Sequence, residues 1–305
     1  MICQVRESVR KLSLDGFTER YYKYDASVVL CGCTESWGVG VKALATEEGL
    51  RHYFGEVHGH RTVPVEIWQP VRLTGVGTEE AEGGLEERLM TLREFTDSHL
   101  LPEPEPEPEP EPDGPVDGSI MSGDGRTVAY LAQHALFDQI PALWGLVRVF
   151  PWVNVGGGGS GLLHANVWLG EGGTITGLHF DSYDNFLLQL HGYKYVRLYD
   201  KSETKHLYRI PAAAKRPAAK DEEEGNGGAA MRPKKQKSGG TAAQGNLSRI
   251  GRAIEQDGVE GKFPALKDAT YTEAVLGPGD ALYIPAGVWH YVRSLETSLS
   301  VNYWF

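Results

Sequence analysis

The sequence predicts a mainly β chain with flanking helices, built on a double-stranded β-helix, or jelly-roll, core. Three observations carry this expectation. Short strand-like runs recur every 8–12 residues through the second half. They are separated by Gly-containing turns, and Gly (38), Trp (7) and Tyr (14) are abundant in the 305-residue chain. The runs also fall into two groups of four, as a two-layered jelly roll requires.

The first 101 residues read as mixed α and β elements that pack on this core. SLDGFTERYY (13–22) places a Ser cap before a helical pattern, and SVVLCGC (27–33) is a β-branched strand. TEEGLRHYFGEV (46–57) and LEERLMTLREFTDSHL (85–100) have helical spacing with acidic first turns. RTVPVEIW (61–68) alternates as a strand does, and Pro64, which has no N–H to donate, places it at a sheet edge.

Residues 102–125 form an acidic, Pro-rich insertion that opens with PEPEPEPEPEP. Every second residue lacks an N–H, so neither helix nor ladder forms there, and a solvated polyproline spacer is expected. Patterned sequence resumes at RTVAYLAQHALFDQIPAL (126–143), so the core is taken as 126–305.

The first group of strands is LHANVWL, TITGLHF, NFLLQL and YKYVRLY; the second is YTEAVL, DALYIPA, HYVRSL and SLSVNYWF. Between them lies 211–245, Ala/Gly-rich and charged, with too little apolar content to fold. Its clusters Lys215-Arg216 and Arg232, Lys234, Lys235, Lys237 resemble a bipartite nuclear-localisation signal, or are simply the composition of a loop.

Composition excludes several classes. The net charge is −11, and the body outside the two insertions is itself acidic, which argues against direct nucleic-acid binding and suits a basic protein partner. Three cysteines, Cys3, Cys31 and Cys33, supply no disulfide framework. Cys31 and Cys33 read as small residues at a strand end rather than half a metal site, since no second Cys/His pair accompanies them. No stretch approaches the ~20 apolar residues of a membrane span, and the N-terminus lacks a signal-peptide run, so an intracellular, soluble protein of nucleus or cytoplasm is expected.

The chemistry centres on His179-Phe180-Asp181. Residues i and i+2 of a strand share a face, so an HxD aims an imidazole and a carboxylate into one space. A second segment, GPGDALYIPAGVWH (277–290), delivers His290 at the start of a later strand, expected to face the first across the barrel mouth. Two His and one carboxylate form the facial triad of non-haem Fe(II) oxygenases, leaving half an octahedron open for a 2-oxo acid and O2. Zn, Co or Mn could occupy the same ligands. Lys194, in GYKYVRLYD, is either an exposed strand lysine or a counter-ion for an anionic co-substrate. Alternation alone leaves both open; the triad tilts it to the second.

Together with RTVPVEIW, RLMTLREF and YLAQHALFDQIPAL, these segments resemble the JmjC family of 2-oxoglutarate oxygenases, which has the cupin-like architecture. The likeness spans residues 12–305 outside the two insertions. It is strongest to a branch of nuclear protein-arginyl hydroxylases, also described as histone lysine demethylases and histone-tail peptidases. It implies Fe(II) on His179, Asp181 and His290, with O2 as co-substrate. It implies 2-oxoglutarate held at its far carboxylate by Lys194 and Thr176 with Tyr130 assisting, and at its keto-acid end near Asn185. Asn302 matches a position where related hydroxylases use Asn. Glu66 matches a substrate-pocket carboxylate, with Trp168 and Trp304 as aromatic residues beside it. A guanidinium fits such a site, because it pairs bidentately with a carboxylate and stacks on indoles.

The implied reaction is hydroxylation of an arginine side chain in a basic ribosomal or chromatin-associated protein, with release of succinate and CO2. Two alternatives are a histone methyl-lysine demethylase using the same chemistry and a non-catalytic metal-bound cupin module. Three departures bear on these expectations. Thr176 stands where the branch more often has Ser. The stretch after Trp68 does not clearly supply the branch's pocket tyrosine. The sequence ends at Phe305, without the C-terminal helices through which relatives dimerise, so a monomer is expected.

Overall fold

The computed structural model describes residues 2–3, 5–68, 85–102, 127–155, 161–212 and 245–305. In chain order the strands are β1 (Ile2–Cys3), β2 (Arg6–Ser8), β3 (Val28–Cys31), β4 (Thr62–Trp68), β5 (Leu85–Thr91), β6 (Val128–His134), β7 (His164–Gly170) and β8 (Ile175–Phe180). Then follow β9 (Asn185–His191), β10 (Lys194–Tyr199), β11 (Thr272–Leu276), β12 (Ala281–Ile284), β13 (Trp289–Ser294) and β14 (Ser298–Trp304). They form two sheets: a small one ordered β1-β11-β10-β13-β8 and a large one ordered β2-β3-β12-β9-β14-β7-β6-β4-β5.

Consecutive strands alternate between the sheets after β7. β8 lies in the small sheet, β9 in the large, β10 and β11 in the small, β12 in the large, β13 in the small and β14 in the large. This alternation is the jelly-roll path, and all eight strands expected between 163 and 305 are present. Val29, Leu187, Val196, Leu198, Leu282, Ile284 and Val292 fill the space between the sheets. A larger apolar cluster packs the N-terminal helical segments on the large sheet, through Phe17, Phe54, Phe95, Phe137, Phe150 and Phe186 among others. A third, around Trp289, Tyr291, Leu178 and Ile254, covers the outside of the small sheet.

Apart from β1, which joins the small sheet beside β11, the N-terminal strands extend the large sheet: β3 pairs with β12, and β4 pairs with β6. The helix Leu14–Arg20 begins where expected, with the Ser13 hydroxyl accepting from the Gly16 N–H. Thr46 caps Glu47–Leu50 in the same way.

Two local expectations are corrected. Residues 85–91 are strand β5, and the helix starts only at Leu92, capped by Thr91. LEERLMT has helix-forming composition, but seven residues pair with β4 from Thr62↔Thr91 to Trp68↔Leu85, and tertiary pairing overrides propensity. Strand β4 is also not an edge, since it sits between β5 and β6. Pro64 is tolerated because β6 pairs only with Glu66–Trp68, leaving β4 one partner at that point.

Both insertions fall almost entirely outside the described residues, as do the two basic clusters. Among the described residues no helix is long and apolar enough to cross a membrane.

Candidate metal centre

His179 and His290 are direct cross-strand partners of β8 and β13. The expected placement on opposite sides of the barrel mouth is therefore corrected: the two ligand strands are hydrogen-bonded neighbours, and adjacency alone brings their rings together, centroids 4.1 Å apart. Asp181 follows β8 directly. Its Oδ1 lies 3.8 Å from His179 Nε2 and its Oδ2 lies 3.7 Å from His290 Nε2. One ligand atom from each of the three residues lies within 4.8 Å of the others, a spacing that could hold a metal ion.

The two imidazoles are fixed in the same manner. His179 Nδ1 lies 2.8 Å from the Gly177 carbonyl, and His290 Nδ1 lies 3.0 Å from the Val288 carbonyl. A carbonyl only accepts, so each Nδ1 carries the proton and each Nε2 presents a lone pair to the centre. Burial, reinforced by the neighbouring His179, pushes His290 down to about 4, so it stays neutral and able to ligate near neutral pH. The backbone clamps the two ligand-bearing turns together. Gly287 N–H donates to the Asp181 carbonyl at 2.7 Å, while the Asp184 carboxylate accepts from Ala286 N–H and the Tyr283 hydroxyl. Gly287 holds φ at +82°, which a residue with a Cβ rarely adopts, so the PAG turn of the sequence positions His290.

An open cavity of about 420 Å³ adjoins the triad. The small sheet contributes Thr176, His179, Lys194, His290 and Val292; the large sheet contributes Tyr130, Trp168, Asn185, Asn302 and Trp304. Ten of the eleven residues singled out in the sequence thus meet at one place. Thr176 and His179 are three apart and would face opposite ways on a regular strand. The register shift opposite His290/Val292 turns both inward.

Lys194 is 1% exposed and paired across β10–β13 with Ser294, four residues along from His290. Its Nζ lies 3.4 Å from the Tyr130 hydroxyl, and it makes no ion pair among the described residues. Burial lowers it to about 7. The choice left open by the strand pattern is resolved: this lysine is inside. A buried ammonium without a counter-charge among the described residues is costly, and an anionic ligand would offset that cost. Tyr130 fits because Gly170 lies opposite it, where a Cβ would stand 2.6 Å from its ring. Its hydroxyl also interacts with Thr176, and burial raises its pKa.

On the facing wall, Trp168 Nε1 donates to Asn302 Oδ1 at 2.8 Å. That leaves Asn302 Nδ2, Asn185 Oδ1 and Trp304 Nε1 buried without a hydrogen-bond partner among the described residues. Such orphaned polar atoms await a ligand or ordered water. Together the residues fit Fe(II) and a dicarboxylate: two neutral imidazoles and a carboxylate for a borderline cation, and a lone buried ammonium for the far end of the anion.

Glu66 is the residue that the cavity lining does not include. It pairs directly with Tyr130 across β4–β6, so it borders the cavity from the same sheet face. Burial raises its carboxyl, opposed in part by hydrogen bonding with Trp68 and then by the charge of Arg252. Two polar residues at or beside the cavity were not foreseen. Gln133 lines the cavity although it is three residues from Tyr130; a register shift between Leu131 and His134, with Gln133 at φ +46°, redirects it. Arg252, just beyond the second insertion, lies with its guanidinium carbon 3.2 Å from the centroid of Trp68. Strand parity announces neither, and a bulge and a strap are set by tertiary packing.

Comparison with known proteins gives one family across nearly the whole chain: the cupin-like domain matches residues 15–305. JmjC domain-containing protein F of Dictyostelium discoideum is 34% identical over 83% of this chain and 52% of its own length. Lysine-specific demethylase 8 of Danio rerio is 31% identical over 96% of this chain and 56% of its own. Lysine-specific demethylase JMJ30 of Arabidopsis thaliana is 30% identical over 100% of this chain and 56% of its own. The chain spans about half the length of these relatives.

Proposed function

The chain belongs to the cupin-like JmjC family, and from that premise we propose that it is an Fe(II)- and 2-oxoglutarate-dependent protein hydroxylase acting on an arginine side chain. The observation that carries the oxygenase reading is the pairing of the His179–Asp181–His290 triad with an unmatched, buried Lys194 in one cavity. When bound, the iron and 2-oxoglutarate supply oxidative decarboxylation coupled to insertion of oxygen into a C–H bond.

The residues divide the remaining work. His179, Asp181 and His290 would hold the metal, and the adjoining cavity would admit the keto acid and O2. Lys194 is paired with a residue four positions from His290 along the ladder, about 13 Å of strand, and lines the same cavity. That spacing suits a short dicarboxylate chelated at one end and paired with ammonium at the other. Tyr130 and Thr176 would add hydroxyls to the same carboxylate, and Asn185 would present its amide to the keto-acid end. Asn302, held by Trp168, keeps a free amide N–H for ligand, and Trp304 lends an indole N–H. Leu187, Ile284 and Val292 keep the floor dry.

Arginine is favoured by Glu66. It is a half-buried carboxylate next to indole, and the chain's own Arg252 stacks there, so the surroundings accept a guanidinium. The net charge of −11 suits a basic substrate, ribosomal or chromatin-associated, met in nucleus or cytoplasm. A second reading, methyl-lysine demethylation, is favoured by the names of two relatives. It uses the same oxygen insertion, followed by loss of formaldehyde. Mass spectrometry of basic peptides incubated with enzyme, Fe(II) and 2-oxoglutarate separates them. Gain of one oxygen on arginine without formaldehyde is expected. Loss of a methyl group with formaldehyde would replace this reading with the second, and absence of succinate with every peptide would leave a binding module.

A further inference from the structure

Arg252 lies on a strap that is laced to the free edge of β8. Phe180 N–H donates to the Asn246 carbonyl at 3.1 Å, Ser248 N–H to Leu178 at 3.0 Å, and Leu178 N–H to Gly251 at 2.9 Å. Leu247 stands opposite His179 itself. The approach is close at Gly177, where a Cβ would lie 3.1 Å from the Gly251 carbonyl carbon and 3.4 Å from the Arg252 nitrogen. Gly251 then turns at φ +53°, and the Arg252 side chain crosses to the large sheet, face-on to Trp68.

Trp68 and Glu66 are i and i+2 on β4, so they share a face. Arg252 therefore lies over the face of β4 that carries Glu66. Glu66 and Arg252 attract each other, yet they form no contact ion pair among the described residues. Stacking on Trp68 holds the guanidinium, and the carboxylate, set beside the Trp68 indole, makes no bidentate pair with Arg252.

We propose that Arg252 is an internal competitor for cationic side chains and a specificity-determining residue of the pocket, a proposal that rests on Glu66 receiving the substrate. A substrate reaches Glu66 by displacing the Arg252 guanidinium from Trp68. A substrate arginine compensates with the bidentate carboxylate pair that Arg252 does not make. A trimethylated ammonium has no N–H to donate and gains nothing equivalent, so the strap selects for guanidinium.

The test is binding of N-acetyl-arginine amide to the full chain loaded with Zn(II) and 2-oxoglutarate, followed by tryptophan fluorescence. The forms compared are wild type, Arg252→Met and the double variant Arg252→Met/Glu66→Gln. Methionine keeps an apolar stem on Trp68 and removes the charge. Arg252→Met is expected to bind the probe roughly three- to tenfold more tightly, the scale of a stacked cation removed from competition. The double variant should lose that gain, and N-acetyl-norleucine amide should show none. Equal or weaker binding by Arg252→Met, or a gain that persists without Glu66, overturns the proposal.

Should Arg252→Met fail to fold, the Nε–H resonance of Arg252 in 15N-labelled wild type decides. It must shift as the probe is added, and a resonance that stays put refutes displacement. Neither readout involves turnover. A failure here with arginine still hydroxylated sinks only the role of Arg252, while normal displacement without hydroxylation sinks only the proposed reaction.

Discussion

Replacing Lys194 by Met should stabilise the ligand-free protein while destroying its grip on 2-oxoglutarate. In the folded chain the ammonium is buried with no counter-charge among the described residues, and burial lowers it from the ordinary 10.5 to about 7. At ~1.4 kcal/mol per pH unit, keeping that side chain charged inside costs roughly 5 kcal/mol. A folded-state pKa below the unfolded one means the unfolded chain holds more protons between pH 7 and 10.5. Wild-type stability therefore rises with pH across that window and is penalised in full below pH 7. At pH 9 the folded lysine is already neutral, and the remaining penalty is about 2 kcal/mol.

Methionine has similar volume and no charge. Urea unfolding followed by tryptophan fluorescence should thus show Lys194→Met more stable than wild type at pH 6, by up to about 5 kcal/mol. The advantage should be about 3 kcal/mol smaller at pH 9. Calorimetric titration should show 2-oxoglutarate binding largely lost. A variant less stable than wild type at pH 6, or an advantage independent of pH, would mean that Lys194 has a partner in the ligand-free protein and is not waiting for an anion.

Three further outcomes follow from the same geometry. Asp181→Asn removes the only anionic ligand while leaving both imidazoles; Fe(II) affinity in a competition titration should fall by more than the 10- to 100-fold typical of losing an outer partner. Trp168→Phe leaves the buried Asn302 Oδ1 without its donor at 2.8 Å and should cost about 1–3 kcal/mol in urea unfolding; an unchanged midpoint would show the bond to be dispensable. In wild type, 2-oxoglutarate binding should be level below pH 7 and weaken as pH rises above it, because the dicarboxylate needs charged Lys194, whose free pKa is about 7. Titrations in buffers of different ionisation enthalpy at pH 8 should then register proton uptake, and affinity constant to pH 9 would exclude that linkage.

Much of the site was legible because strand parity transmits it. HxD on β8 and the GPGD…PAG turn before His290 report which side chains point inward, and those residues do converge. Parity does not say which strands are neighbours, so the contact of β8 with β13 was misplaced across the mouth. It also fails wherever a register shift intervenes, as at Gln133. The stretch 85–91 misled for a different reason. Glu86, Glu87 and Arg88 are exposed and helix-forming, and only their pairing with β4 makes them a strand. Arg252 could not be foreseen at all, since a strap following a low-complexity segment has no periodicity to read.

The most direct measurement is the visible absorption of the protein with Fe(II) and 2-oxoglutarate under anaerobic conditions, where a keto acid chelating ferrous iron produces a charge-transfer band. One iron per chain should suffice to saturate the band in wild type, and it should vanish in His179→Ala and His290→Ala. Iron that binds without the band, or a band that survives loss of either histidine, would contradict a cation held on one face by these three side chains with its other face open.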